Sequence, residues 1–170
     1  MIRTTALMVT AALALAACAP RAETQLGPDG QPLPVAYKIT QRDAAQIPVR
    51  VQTEINNLRA AQGLAPLTVS PLLTNAAQVH ATDMSRQNRA WHFGSDGSSP
   101  LDRVRRAGYT GPLIGQNISE TYENEIQTMQ AWMNSRDTRD VIMSPVAREM
   151  GLAWQQEQSA KIWWTLVVGG

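Results

Sequence analysis

The sequence is poor in the residues that build covalent frameworks and metal sites. Among its 170 residues there are one Cys and two His. A single Cys excludes an intramolecular disulfide framework and any metal site built from several cysteines. Two His leave room for at most one constellation that depends on histidine, so its place in the chain can be searched completely.

The sequence also lacks an excess of either charge. Its 15 Lys and Arg residues against 14 Asp and Glu residues give a formal net charge of +1. This balance argues against a nucleic-acid-binding protein whose affinity comes from a basic face. The length suits one domain of ordinary size rather than two large cores. No internal repeat or low-complexity tract is visible.

The first 18 residues predict an export signal. Arg3 gives a positive start, and the 14 residues from 4 to 17 carry no charge. A membrane-spanning helix needs about 20 apolar residues, so this shorter stretch is typical of a signal peptide. Its last residues, Leu15-Ala16-Ala17-Cys18, resemble the bacterial lipobox, in which the cysteine thiol is joined to diacylglycerol and cleavage precedes it.

We therefore expect residues 1–17 to be a lipoprotein signal peptide and Cys18 to become the lipid-anchored first residue of the mature protein. Ala19, rather than Asp, follows the cysteine. By resemblance to enterobacterial lipoproteins, this favours the outer membrane of the cell envelope, with the protein facing the periplasm. The alternative is ordinary cleavage nearby, which would leave a secreted protein with a free thiol.

Residues 18–46 are predicted to form a proline-rich tether. Five Pro lie between positions 20 and 48, and the turn Gly27-Pro28-Asp29-Gly30 breaks regular structure. Extended proline-rich chain covers about 3.1 Å per residue, so the tether could hold a domain well away from the membrane. Residues 35–40 could instead pair as a strand. The domain itself is predicted to span residues 47–170.

The domain begins with helical periodicity. Near Pro48 an apolar stripe recurs at intervals of four, four and three residues, which predicts a helix that ends at Gly63. The stripe consists of Ile47, Val51, Ile55 and Leu58, and the other faces carry Arg50, Glu54 and Arg59. Three more helices are predicted. The first starts at Ser70-Pro71 and carries the stripe Leu73, Ala76, His80 and Met84. The second is short, from Ser99-Pro100 to Gly108, and the third carries Tyr122, Ile126, Met129 and Met133.

The C-terminal part of the chain predicts strands instead. Residues 150–154 and 162–168 are apolar segments joined by the polar residues 155–160. The second segment is apolar on both alternations, so both faces of its sheet should be covered. Because helices outnumber the strands and precede them, we expect an α+β sandwich in which helices flank a small antiparallel sheet.

The two histidines are the first candidates for chemistry. His80 lies on an apolar helical stripe, where it is either a core residue with one hydrogen bond or a residue that faces a cavity. His92 lies in the loop of residues 91–97, and loops carry function more often than helix interiors do. Their spacing of 12 residues matches no metal-ligand motif of high specificity.

The serines after His92 suggest a structural role. Ser95, Asp96, Ser98 and Ser99 could be taken for parts of a Ser-His-Asp triad. However, the segment lacks the G-x-S-x-G pattern of a nucleophile elbow. A turn followed by a helix cap explains the same residues more simply.

A series of short motifs follows a recognisable order along the chain. The motifs are Asn57-Leu58-Arg59, Gly63-Leu64-x-Pro66-Leu67, Ser70-Pro71-Leu72, Ala76-Ala77-x-x-His80-x-x-Asp83-Met84, His92-x-Gly94-Ser95-Asp96-Gly97, Arg103-x-x-x-Ala107-Gly108-Tyr109, Gly115-Gln116-Asn117-Ile118, Trp132-Met133-x-Ser135 and Glu149-Met150-Gly151-Leu152-Ala153. This series resembles the cysteine-free bacterial branch of the CAP superfamily. These SCP-like domains are related to cysteine-rich secretory, antigen-five and plant pathogenesis-related proteins. The resemblance covers about residues 47–170.

The resemblance implies an α-β-α sandwich with an open groove. In the family, a His, a Glu from a Gly-Glu-Asn motif and a second His from a Ser-Pro-x-His-Arg motif line that groove, and in some members these residues bind a divalent cation. By position, His92 matches the first His, and Asn117 matches the motif Asn.

Two of the three groove residues differ in this sequence. Gln116 stands in place of the Glu, and a neutral amide can be neither a charged ligand nor a general base. In the third motif Ser135 and Arg139 are kept, but Thr138 occupies the place of the second His and cannot replace an imidazole as a zinc ligand. Restoring both residues, with Gln116→Glu and Thr138→His, is therefore expected to create divalent-metal binding.

These differences favour a membrane-anchored cell-envelope protein whose domain is a non-catalytic binding module for a lipid, a wall fragment or a protein. We expect no metal or other cofactor and no nucleic acid. The alternative is a weak hydrolase or metal-dependent protein that uses the two histidines and nearby acids. Close approach of the two imidazoles to each other, with an acid beside them, would favour this alternative. The residues predicted to line the groove are His80, His92, Gln116, Asn117, Ser135, Thr138 and Arg139.

Overall fold

The computed structural model of the protein describes residues 36–170, in which the chain forms five helices and four strands. The predictions for the signal peptide, for Cys18 and for the tether up to residue 35 fall outside these residues. The helices are α1 (Gln41–Ala61), α2 (Pro71–Gln87), α3 (Pro100–Arg106), α4 (Glu125–Asn134) and α5 (Arg136–Ile142). The strands are β1 (Thr68–Val69), β2 (Leu113–Thr121), β3 (Glu149–Gln156) and β4 (Ile162–Gly169). The predicted α+β class is confirmed.

The four strands form one sheet in the order β1-β3-β4-β2. β4 pairs antiparallel with β3 on one side and with β2 on the other. β1 pairs parallel with β3, so that Thr68 lies opposite Glu149 and Val69 opposite Met150. The sheet is therefore mixed rather than purely antiparallel, because a two-residue strand is too short to leave a pattern in the sequence.

Helices cover both faces of this sheet, which makes the domain a three-layer α-β-α sandwich. On the first face, apolar residues of α1, α4 and α5 pack against even-numbered residues of β3 and β4, as Ile55, Ile142 and Leu166 do. On the second face, α2 and α3 pack against odd-numbered residues, as Leu73 does near Val167. All eight residues of β4 are buried, as its two apolar alternations predict.

The close approach of α2 to the sheet depends on a glycine. A Cβ atom at Gly151 of β3 would lie 2.2 Å from the backbone carbon of Leu73 and 2.2 Å from the backbone nitrogen of Thr74. Any larger residue would therefore push α2 away from β3. This contact sets the depth at which the side chains of α2 enter the second face.

Helix α1 begins earlier than the sequence suggests. Thr40 and Asp43 form a reciprocal capping box at its start, and Pro48 lies inside the helix. Before the helix, the backbone N–H of Tyr37 donates to the carbonyl oxygen of Tyr122 (3.0 Å), and residues 36–40 form no strand. Residues 36–46, assigned to the tether from sequence, thus contact the domain.

The apolar stripe of α1 ends on a charged residue. Ile47, Val51 and Ile55 are buried as predicted, but Leu58 is only half-buried. The residue that continues the interval of four is Arg59, which is fully buried although the sequence suggested an outer face. Its guanidinium can be buried because it finds backbone carbonyl oxygens as acceptors inside the domain.

The middle of the chain differs most from the sequence predictions. Helix α4 starts at Glu125, capped by the side chain of Asn124, so Tyr122 precedes it. Neither β2 nor α5 was predicted from the sequence, although both carry predicted groove residues. Within residues 36–170, no helix combines the length and the apolar character that crossing a bilayer requires.

Candidate functional site

His80 enters the second face of the sandwich from α2 and is fully buried. Its Nε2 lies 2.9 Å from the carbonyl oxygen of Trp91, so Nε2 carries the proton and donates it. Burial, reinforced by the positive charge of Arg103, lowers the pKa of His80 from 6.5 to about 4. His80 is therefore a neutral, enclosed imidazole that holds the loop after α2. Of its two predicted roles, it has that of a core residue with one hydrogen bond.

The loop of residues 91–98 is held by its own polar side chains. Asp83 of α2 accepts hydrogen bonds from the backbone N–H (2.7 Å) and the hydroxyl (2.6 Å) of Ser95. Asp96 accepts from the backbone N–H of Ser98. A Cβ atom at Gly94 would lie 2.6 Å from both Asp96 Oδ1 and Ser98 Oγ, so a larger residue would displace these side chains. These serines and carboxylates therefore build a turn.

The segment after this turn is a helix cap. Ser99 Oγ accepts from the backbone N–H of Asp102, whose carboxylate in turn accepts from the Ser99 backbone N–H. Within the described part of the chain, no serine hydroxyl is hydrogen-bonded to an imidazole. His92 is exposed, and neither of its ring nitrogens has a hydrogen-bond partner among residues 36–170. The arrangement contains no nucleophile with an attached base.

Arg103 of α3 is the central polar group of this face. Its side chain is 6% exposed. Nη1 donates to the carbonyl oxygen of Ser98 (2.8 Å), and Nη2 donates to the carbonyl oxygen of His92 (2.7 Å) and to Gln116 Oε1 (3.0 Å). Burial lowers the pKa of Arg103, although nearby Asp83 opposes that effect. Sequence reasoning singled out His92 and Gln116 but missed the cation that joins them.

Gln116 is positioned by β2 and by this arginine. It is buried, its Oε1 accepts from Arg103, and its Nε2 has no hydrogen-bond partner among the described residues. A neutral amide has no proton that it can exchange near neutral pH. The pair therefore offers polar recognition without a carboxylate.

The seven predicted groove residues divide between the two faces of the sheet. Successive residues of a strand point to opposite faces. Gln116 lies opposite Val167 on the second face, whereas Asn117 lies opposite Leu166 on the first. Asn117 Nδ2 donates to the carbonyl oxygen of Thr138 in α5 (2.9 Å).

Three of the seven residues belong to α5 and its start. The Thr138 hydroxyl donates to the carbonyl oxygen of Trp132 (2.6 Å), and Ser135 and Arg139 are exposed nearby. His80, His92 and Gln116 are thus on the second face, and Asn117, Ser135, Thr138 and Arg139 are on the first.

Gln116 and Thr138 have different partners, which bears on restoring the family residues. Gln116 accepts from Arg103, whereas the Thr138 hydroxyl donates to the carbonyl oxygen of Trp132. In Gln116→Glu the new carboxylate would pair with Arg103, and the metal binding expected of the double variant stays a prediction. Residues 36–170 contain no cluster of three or more His, Cys, Asp or Glu side chains that could hold a metal. The donor set does not fit the divalent cation bound by some CAP proteins.

A cleft of about 380 Å³ opens beside this cluster, between α2 and the segment formed by the loop and α3. It was not predicted from the sequence, because its walls come from three separate motifs that only the fold brings together. The residues that line it are Asn75, Ala76, Val79, Asp83, Arg86, Gly94, Ser95, Asp96, Ser98, Arg103, Arg106 and Ala107.

Comparison with known proteins gives one consistent result. The sequence model of the cysteine-rich secretory protein family, CAP, matches residues 52–168. A curated relative, the uncharacterized protein YkwD of Bacillus subtilis (strain 168), is 29% identical over 114 residues, which cover 67% of this chain and 44% of that protein. The chain therefore spans less than half the length of the curated relative that it matches.

Solved structures share the same fold. An outer surface protein from Borrelia burgdorferi superposes with a TM-score of 0.69 at 16% identity, over 75% of this chain and 94% of that one. An extracellular protein containing an SCP domain from Bacillus anthracis str. Ames gives a TM-score of 0.62 at 21% identity, over 79% of this chain and 45% of that one. At these identities the likeness concerns the fold.

Proposed function

Since the chain belongs to the cysteine-rich secretory protein (CAP) family, we propose that it is a cell-envelope lipoprotein whose CAP domain is a non-catalytic binding module for a lipid, a wall fragment or a protein. Cys18 carries the lipid anchor, and the protein faces the periplasm from the outer membrane. The short apolar stretch behind Arg3 and the lipobox-like Leu15-Ala16-Ala17-Cys18 support the anchor.

The contact between Arg103 and Gln116 carries the non-catalytic part of the proposal. Where the family has a glutamate, this protein has an amide that accepts a hydrogen bond from a buried guanidinium. A general acid or base needs a proton that it can exchange near the working pH. Gln116 has none, Arg103 stays protonated, and His80 is enclosed in the core. His92 has no carboxylate partner among the described residues.

Zinc binding tests the groove. Titration of the metal-free protein by calorimetry is expected to show nothing tighter than about micromolar, roughly −8 kcal/mol. The physical reason is that catalytic zinc usually has three protein ligands, whereas the groove offers one exposed imidazole beside a cation. If zinc binds more tightly than micromolar and His92→Ala abolishes that binding, other residues complete a metal site with His92.

Intact-mass analysis of the protein from native membranes tests the anchor. We expect a polypeptide that begins at Cys18 and carries the added mass of acyl chains. The matched control is Cys18→Ser, which should prevent acylation and leave no mature lipoprotein in the membrane fraction. A soluble species with an unmodified thiol would contradict the proposal, and so would retention of residues 1–17.

A further inference from the structure

In the cleft between α2 and α3, both carboxylates are hydrogen-bonded within the protein. Asp83 accepts three hydrogen bonds, two from Ser95 and one from Gln87 Nε2, and Asp96 accepts from Arg106 and from the Ser98 backbone. The carboxylates of the cleft are therefore already occupied by donors of the protein. An incoming cation would have to compete with these bonds.

Of the three arginines that line the cleft, Arg106 pairs with Asp96 and Arg103 bonds only to neutral oxygens. Arg86 is exposed and has no ion-pair or hydrogen-bond partner among residues 36–170. Arg103 lies in the wall, where its hydrogen bonds go to neutral oxygens, and burial removes much of the solvent that would screen its charge. The lining carries three Arg and two Asp, which leaves a net charge of +1, and Arg86 at the rim has no acidic partner among residues 36–170. Nearby Asp83 and Asp96 balance part of the charge of Arg103 behind the wall.

The uncharged part of the lining combines apolar side chains with the polar Asn75, Ser95 and Ser98. Val79 is 54% exposed, and Ala76 and Ala107 line the cleft beside it. The volume of about 380 Å³ lies within the range of small-molecule sites, about 300–1,000 Å³. An apolar wall next to an unpaired guanidinium suits a ligand that has one anionic end.

We propose that this cleft binds the carboxylate or phosphate group of a small ligand whose apolar body rests on Val79. The proposal deepens, and rests on, the binding role proposed above, and it places that role outside the His92 and Gln116 groove. Guanidinium groups bind both anions through paired hydrogen bonds. Arg86 supplies these bonds at the rim, and the charge of Arg103 attracts the anion from behind the wall.

The test uses three probes that share one ring and differ in charge: benzoate, phenyl phosphate and benzylamine. Each is titrated into the purified mature protein while backbone amide shifts are followed by NMR. We expect saturable shifts for residues of the cleft with one or both anions, at a Kd on the order of millimolar or tighter, as suits ligands of this size. Binding of only one anion would support the proposal and identify the head group. Benzylamine should not bind.

Two exposed residues allow the site to be altered without disturbing the core. Arg86→Gln is expected to weaken anion binding about tenfold or more, because it removes the paired donors. Val79→Glu should abolish binding, because it places a negative charge on the apolar wall and repels the anionic ligand. The matched controls are Arg105→Gln on α3 and Val49→Glu on α1, both exposed and outside the cleft, and both should bind as the unmodified protein does.

The proposal is overturned if neither anion binds at 20-fold the expected Kd (about 20 mM), if benzylamine binds equally well, or if Arg86→Gln and Arg105→Gln behave alike. Any of these results would leave the lipid anchor and the absence of catalysis intact. Conversely, turnover that depends on His92 would contradict the non-catalytic role and leave an anion bound in the cleft unaffected. The two failures are therefore distinguishable.

Discussion

Arg59→Met is expected to lower the free energy of unfolding by about 3–5 kcal/mol. The Arg59 guanidinium is fully buried at the end of α1. It donates to the carbonyl oxygens of Ala65 (2.8 Å), Ile142 (2.7 Å), Ser144 (3.0 Å) and Ala147 (3.2 Å). Methionine fills a similar volume but leaves the carbonyl oxygens of Ala65 and Ile142 without their donor. Those of Ser144 and Ala147 lose one donor and keep another, the Ala147 N–H and Arg148 Nη1 respectively.

The size of this effect follows from what the side chain joins. The four carbonyl groups belong to the segment after α1, to the last residue of α5 and to the connection between α5 and β3, so one side chain joins all three. A buried carbonyl without a donor costs about 1–3 kcal/mol. Part of the loss is offset because the buried charge, whose pKa is lowered by desolvation, is removed as well. The sum of four separate penalties would therefore be too large.

Chemical denaturation measures this prediction, with Arg42→Met as the matched control on the same helix. Arg42 is exposed, so its replacement should change the stability by no more than about 0.5 kcal/mol. Arg59→Lys should fall between the two, because an ammonium group cannot reach four divergent acceptors. Equal stabilities for Arg59→Met and Arg42→Met would show that the buried guanidinium contributes nothing net.

The protein is expected to lose about 3 kcal/mol of stability through His80 as the pH falls from 7 to 4. The pKa of His80 in the folded protein, about 4, lies below its ordinary value of 6.5. The unfolded chain therefore takes up a proton first as the pH falls. The stabilisation is fully present above pH 6.5 and is lost as the pH approaches 4, since the folded protein keeps His80 neutral.

Unfolding free energies measured at several pH values, for the unmodified protein and for His80→Gln, test this linkage. Glutamine can still donate to the Trp91 carbonyl oxygen but does not titrate, so the slope between pH 6.5 and 4 should flatten. His92→Gln, at an exposed position, should keep the slope. Parallel curves for His80→Gln and the unmodified protein would contradict the view that the buried imidazole is held neutral.

The parts of the fold that could be predicted from the sequence are those with strong local signals. Ser70-Pro71 and Ser99-Pro100 mark the starts of α2 and α3, and the apolar run of β4 shows that it is covered on both faces. β2 has no such signal, because its sequence, LIGQNISET, shows neither a regular alternation of apolar and polar residues nor a continuous apolar run. Once β2 is recognised as a strand, the separation of Gln116 from Asn117 follows from the alternation of side chains.

The two buried arginines could not be predicted in the same way. Arg59 and Arg103 each occupy a helical position that composition alone would assign to solvent. Their acceptors are mostly backbone carbonyl oxygens of loops, which exist only once the chain has folded. The cleft next to Arg103 is likewise a product of how α2, the loop of residues 91–98 and α3 come together.

Turnover on ester and peptide substrates, compared between the unmodified protein and His92→Ala, tests most directly whether this CAP domain binds rather than catalyses. His92 is exposed, so its replacement should cost only on the order of 0.5 kcal/mol of stability, and both proteins should be folded. We expect neither protein to accelerate hydrolysis above the buffer rate. Hydrolysis by the unmodified protein that disappears in folded His92→Ala would contradict the non-catalytic role.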